Sequence, residues 1–200
     1  MIITERGMIV PDKSEIIMNE NELALRLGMK RGADLSCADK CMAEVLRASE
    51  LRACFVRCRI SVSGDICNLG FAEVQSRLLA KNLCGCTQMY AFGATLGAAV
   101  DRLIARKEAL SPAELFIADA AASAYMEALA DCVNNRLKKG KSCRPRFSPG
   151  FGGFGLSYQQ PLLDFLDAQR LLGIKLTESQ MMLPVKSVTA VIGIGEDDLY

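Results

Sequence analysis

One long helix limits what this chain can fold into. Ser111-Pro112-Ala113-Glu114 is a capping box with proline at the first helical position. Lys138-Lys139-Gly140 closes the other end, where basic side chains and a glycine suit the negative helix terminus. Between these signals Leu115, Ala118, Ala122, Met126, Leu129, Val133 and Leu137 recur at helical spacing and form one apolar face. A helix so long and so sharply bounded is expected to be the central one, with the other elements arranged around it.

The flanking segments supply shorter elements. Asn19 to Gly28 reads as a helix with an asparagine cap and a terminal glycine. A second helix is predicted over 36–51, where Cys37, Cys41, Val45 and Leu46 share a face. Cys54, Val56, Cys58, Ile60 and Val62 then alternate with Arg57, Arg59, Ser61 and Ser63, as a half-buried strand requires, and Gly64-Asp65 ends it. Phe71 to Leu83 reads as a helix and Cys84 to Phe92 as a strand closed by Gly93. Leu96, Val100, Leu103 and Ile104 mark an amphipathic helix. The stretch from Ser142 to Leu156 is rich in Arg, Pro, Gly and Phe without periodicity, and is read as a loop. Ser157 and Gln160 then stand where they would cap a helix that Gly173 stops, and two strands follow over 176–182 and 187–194, separated by Pro184.

Short strands joined partly by turns and partly by helices, without a strict βαβ rhythm, favour an α+β fold. The expected architecture is a mostly antiparallel twisted sheet with a long central helix and flanking helices. The chain is expected to be a single unit over 1–200, with 1–53 a helical appendage to an α+β core over 54–200; at 200 residues and 50% apolar composition it can bury one substantial core.

Composition removes several classes of function. The net charge is +1 and the basic residues are dispersed, so the electrostatic footprint of a nucleic-acid binder is missing. No apolar run approaches the roughly 20 residues needed to span a bilayer, and the first residues lack a signal-peptide layout; the expected compartment is the cytoplasm, with no membrane partner. Nine cysteines in that setting are expected to be reduced thiols. The absence of histidine removes the commonest general base and every Ser-His or Cys-His nucleophile.

Three constellations carry chemistry. Cys37/Cys41, Cys54/Cys58 and Cys84/Cys86 each share a face, but their spacings differ from the usual C-x-x-C knuckle, and buried free cysteine is an ordinary apolar residue. No metal site is therefore expected. The run Gly150-Phe151-Gly152-Gly153-Phe154-Gly155 lacks the Lys-Ser/Thr of a phosphate loop and the order of elements in a dinucleotide fingerprint. Its glycines suit close backbone approach or positive φ. On the long helix, Asp119, Ser123, Glu127 and Asp131 follow one another at i,i+4 as a polar stripe among small residues. A neighbouring helix is the ordinary occupant of such a setting. Were the Arg146 loop to fold back onto the stripe, Glu127 would suit the ammonium, and Arg146 the carboxylate, of a zwitterionic amino-acid group.

Taken together, Arg146-x-Ser148-Pro149-Gly150-Phe151, Leu176-Thr177-Glu178-Ser179 and Pro184-x-x-Ser187-Val188-Thr189 resemble the activation (AdoMet-binding) domain of cobalamin-dependent methionine synthase. That family has an Arg-Pro-x-Pro-Gly-Tyr loop, then Leu-Thr-Glu-Ser, then Pro-x-x-Ser-Val-Ser-Gly, in this order. Ala122-Ser123-Ala124-Tyr125-Met126-Glu127 is similar to its alanine-rich helix with an acidic residue near the ligand. The likeness is good from about residue 95 onward; the N-terminal half is similar, on shorter motifs, to stand-alone bacterial reactivation proteins. The resemblance implies S-adenosylmethionine as ligand and a cobalamin-bearing methionine synthase core as partner. Flavodoxin or a similar reductant would supply the electron for reductive methylation of cob(II)alamin. It implies that Arg146 binds the AdoMet carboxylate, that Glu127 faces its amino group, that Ser148, Gly150 and Phe151 contact the ligand, and that Tyr200 lines the site. Phe151 stands where the family has tyrosine, and Thr189-Ala190 where it has Ser-Gly. Two rival readings remain: a non-catalytic AdoMet-binding or interaction module for another corrinoid protein, and a Cys-based metal or redox protein.

Overall fold

The computed structural model describes residues 2–195. Strand β1 (Ile3–Ile9) leads to helices α1 (Glu20–Arg26) and α2 (Asp39–Ala48), then strands β2 (Arg52–Arg59), β3 (Ser61–Ser63), β4 (Ile66–Asn68) and β5 (Glu73–Gln75). Helix α3 (Arg77–Asn82), strand β6 (Cys86–Thr95) and helices α4 (Ala98–Leu110) and α5 (Pro112–Lys138) follow. The chain ends in helices α6 (Gln159–Leu166) and α7 (Ala168–Leu172) and strands β7 (Lys175–Leu176), β8 (Met182–Leu183) and β9 (Ser187–Gly195).

The main sheet is antiparallel with strand order β1-β2-β6-β9. Side-chain alternation divides the strands between two cores, an upper one on the α5 side of the sheet and a lower one on the side of α3, α6 and α7. On one face Ala53, Tyr90, Phe92, Ala94, Ala190, Ile192 and Ile194 pack against α5 and its neighbours. On the other face Cys54, Val56, Cys58, Met89, Ala91 and Val191 meet α3, α6, α7 and the small β3-β4-β5 sheet. The fold class is α+β, as the sequence predicts.

Helix α5 has 27 residues, and its predicted limits hold: Ser111 Oγ accepts from Glu114 N at 3.3 Å. Its alanines explain its placement. Ala118, Ala120, Ala121, Ala122, Ala124, Ala128 and Ala130 are all buried, so the helix axis can lie close to the sheet and to α2 and α4. Among the described residues no helix is long and apolar enough to cross a membrane.

Several elements differ from the sequence expectation. The first 53 residues hold α1 and α2 but also β1, which pairs along β2; its pattern is too polar to advertise a strand. Strand β2 keeps the predicted inward face, but it ends at Arg59, and 61–63 belong to the small sheet. The helix predicted over 71–83 is shorter. Residues 73–75 form β5, and Ser76, in extended conformation, caps α3 by accepting from Leu79 N at 3.0 Å. Gly93 does not close β6. It lies inside the strand, where a Cβ would meet Leu166 and Leu172 at 3.5 Å, an ordinary contact with α6 and with α7. The helix after Ser157 starts without a side-chain cap and breaks at Asp167, whose φ is 55°. In place of one strand over 176–182, residues 177–181 form the turn of a hairpin between β7 and β8, held by Thr177 Oγ1, which accepts from Met181 N at 3.1 Å.

Candidate functional site

Segment 142–147 extends the sheet past β9. Gly195 N donates to Ser142 O, Arg144 N to Gly193 O, and Phe147 and Val191 exchange both backbone hydrogen bonds, all at 2.9 Å. Neighbouring residues on such an edge point to opposite faces. Phe147 enters the lower core beside Phe154, at ring centroids 6.5 Å apart. Arg146 therefore faces α5. Its Nη2 lies 2.5 Å from Glu127 Oε2 and its Nη1 2.5 Å from Asp131 Oδ1.

The stripe on α5 is the helix's only opening over its central stretch: from Ala118 to Ala130 only Asp119, Ser123 and Glu127 escape burial. A second cation reaches it from the other end. Lys186, 9% exposed, donates to Asp119 Oδ1 at 2.7 Å and Ser123 Oγ at 2.9 Å. The turn before β9 places it: Leu183-Pro184 is cis, Ser187 Oγ donates to Pro184 O at 2.7 Å, and Val185 N donates to Asp101 Oδ2 at 2.8 Å. Three carboxylates and two cations thus share one narrow line beside the edge of the sheet.

The other predicted residues lie on a turn that leaves this line. Ser148 is half-buried, and Gly150, at φ 94°, donates to Phe154 O at 2.6 Å. Phe151 is 64% exposed, with its ring 5.3 Å from that of Phe147. The glycine run serves packing against α3. Gly152, at φ 55°, would place a Cβ 2.8 Å from the Phe147 ring, and Ser76 Oγ donates to Gly152 O at 2.6 Å. Phe154 is fully buried core rather than the wall of an open site. The structure brings Arg146 and Glu127 together and sets Ser148, Gly150 and Phe151 next to them in sequence on a separate turn. Tyr200 lies outside the described residues.

Two of the side chains gathered on this line are poorly marked in the sequence. Asp131 was visible only as one member of the stripe, and Lys186 had no signal, because a lysine after a proline turn reads as surface. The stripe itself is open. Clefts of about 680 Å³ and 380 Å³ lie elsewhere, one along α3 near Arg77, Leu78 and Lys81 and the other between α2 and α4 near Arg47 and Arg106.

The sulfurs do not converge. Among the described residues no three His, Cys, Asp or Glu side chains are placed to hold a metal. Burial pushes the Cys54 thiol up to about 12 and the Cys58 thiol up to about 11. These thiols donate weakly to Leu166 O and Leu69 O, at 3.6 and 3.7 Å, inside the lower core.

Comparison with known proteins agrees with this architecture. No protein-family model and no curated protein matches the sequence. A solved structure does: the crystal structure of the MetH reactivation domain bound to AdoHcy. The likeness has a TM-score of 0.71 at 14% sequence identity, covering 98% of this chain and 80% of that one. The class of fold defined by the sheet, the long helix and the edge loop is thus that of a reactivation domain. In particular, the chain has the fold of the MetH reactivation domain along nearly its whole length.

Proposed function

We propose that this protein binds S-adenosylmethionine and serves as the reactivation component of a cobalamin-dependent methionine synthase. The observation that carries this reading is the seating of Arg146 on Glu127, 2.5 Å apart, at the sheet edge of a fold shared with the MetH reactivation domain. A guanidinium beside a carboxylate matches the two charges of an amino-acid end, the guanidinium taking the ligand's carboxylate and Glu127 its ammonium. Arg146 has five N–H donors, of which the two ion pairs engage two, so donors remain for an incoming carboxylate.

The ligand's sulfonium would supply the methyl group, while flavodoxin or a similar donor reduces the partner's cob(II)alamin by one electron. Positioning then falls to this chain. Holding the methyl donor at a fixed place and angle is an entropic contribution that needs no acid–base pair, which suits a chain without histidine. Phe151, Leu78 and Leu156, all at least half exposed beside the glycine turn, offer an apolar surface for the cobalamin-bearing partner.

Two measurements test the reading. Calorimetric titration is expected to show saturable AdoMet binding at one site per chain. The protein is then expected to restore turnover to a synthase core inactivated as cob(II)alamin, given AdoMet and flavodoxin or a chemical reductant. Absence of both binding and rescue overturns the proposal; binding without rescue assigns the module to another corrinoid protein.

A further inference from the structure

We infer that Asp131 is a positioning residue for the ligand's carboxylate, acting through Arg146. This rests on the reading of Arg146 and Glu127 given above and extends it to a residue outside that pair. The guanidinium is bridged: Nη2 meets Glu127 Oε2 and Nη1 meets Asp131 Oδ1, each at 2.5 Å. Glu127 and Asp131 stand one turn apart on α5, where two like charges repel unless a cation lies between them.

Stability does not account for the arrangement. The Asp131 and Glu127 side chains are 65% and 39% exposed and the Arg146 side chain between them 25%, and ion pairs whose carboxylates stand in solvent contribute little to folding. Binding does account for it. When a ligand ammonium takes Glu127, Arg146 loses one of its two anchors. An arginine side chain free at that moment would have to be ordered again to grip a carboxylate. Asp131, lying beyond the ammonium position, keeps hold of Nη1 and leaves the remaining donors turned toward the ligand. The two carboxylates thereby divide the work: Glu127 is exchanged between guanidinium and ammonium, and Asp131 is not.

The test uses the whole protein, the variants Asp131→Asn and Asp131→Glu, and two ligands. AdoMet has the carboxylate; decarboxylated AdoMet lacks it but keeps the ammonium and the sulfonium. By calorimetry, Asp131→Asn is expected to bind AdoMet about tenfold more weakly, the size of one lost hydrogen bond between charged groups. Its affinity for the decarboxylated ligand is expected to stay within about twofold of the wild type, and Asp131→Glu to recover AdoMet affinity to within about threefold. A residue that merely supported the helix would weaken both ligands alike. The inference is overturned if Asp131→Asn binds AdoMet as the wild type does, if it weakens both ligands equally, or if Asp131→Glu gives no recovery. Wild-type protein that fails to bind AdoMet at all removes the underlying reading together with this one.

Discussion

Arg146 and Phe147 are adjacent residues with opposite tasks, and the edge of β9 separates them. Backbone pairing with Val191 turns Phe147 into the lower core and sends Arg146 to the carboxylates of α5. Arg146→Ala is expected to weaken AdoMet binding by about 2 kcal/mol or more, because a charged, multiply bonded contact is lost. Arg146→Lys is expected to recover only part of it, since an ammonium lacks the planar fork. Calorimetric affinities check both, and an unchanged Arg146→Ala affinity removes Arg146 from the site. Cys54 provides a second residue-level expectation. An ordinary thiol has a pKa of 9.0, whereas burial raises that of folded Cys54 to about 12. Below pH 9 both states keep the proton, and the thiol favours the fold to its full extent. Above that value the unfolded chain releases its proton first, so stability falls as pH rises toward about 12, by about 1.4 kcal/mol per pH unit. Denaturant midpoints from pH 8.5 to 10.5 should therefore fall more steeply for the wild type than for Cys54→Ala; parallel curves would count against it. At this scale the sequence was legible where chemistry is local. Charge type and helical spacing point to the juxtaposition of Arg146 with Glu127, but no pattern in the chain announces Lys186, whose partners are 63 and 67 residues away.

Among the elements, α5 was the most legible, because both its ends are written in the residues that form them. Removing the hydroxyl in Ser111→Ala is expected to cost about 1 kcal/mol of stability, the usual worth of an N-cap, measured by equilibrium denaturation. The body of the helix has less tolerance for added bulk. Ala122 is fully buried in the upper core, so Ala122→Leu is expected to cost about 1–3 kcal/mol by overpacking. The short elements were hard to read for a physical reason. Segments of three residues such as β4 and β5 complete no period that separates strand from helix, and only their pairing into one small sheet stabilises them. Strand β1 shows the same limit at the sheet's edge: Thr4, Glu5 and Arg6 are exposed, and the partner strand, not the local pattern, makes the segment extended. The glycine turn is a third case. Composition marked it as irregular, but its packing onto α3 depends on Leu78 and Ser76, which lie about 75 residues earlier in the chain.

At the scale of the whole molecule, the proposed site draws on three separate layers. Glu127 and Asp131 stand on α5, Arg146 on the edge segment paired to β9, and Lys186 on the turn that leads into β9. A ligand held between these parts fastens the helix to the sheet edge, and a chain that has lost that relation has no site left. Binding must then stabilise the folded state by mass action: ligand at one hundred times its dissociation constant adds about 2.7 kcal/mol. For a domain of this size each kcal/mol moves the melting temperature by roughly 2–4 °C, so saturating AdoMet is expected to raise it by about 5–10 °C. The Arg146→Ala variant should melt near the wild type without ligand, because the carboxylate ends of its ion pairs are 39% and 65% exposed, yet should lose most of the shift when AdoMet is added at the same concentration. A shift that survives in Arg146→Ala would place the ligand elsewhere on the molecule, with the cleft along α3 the first place to look.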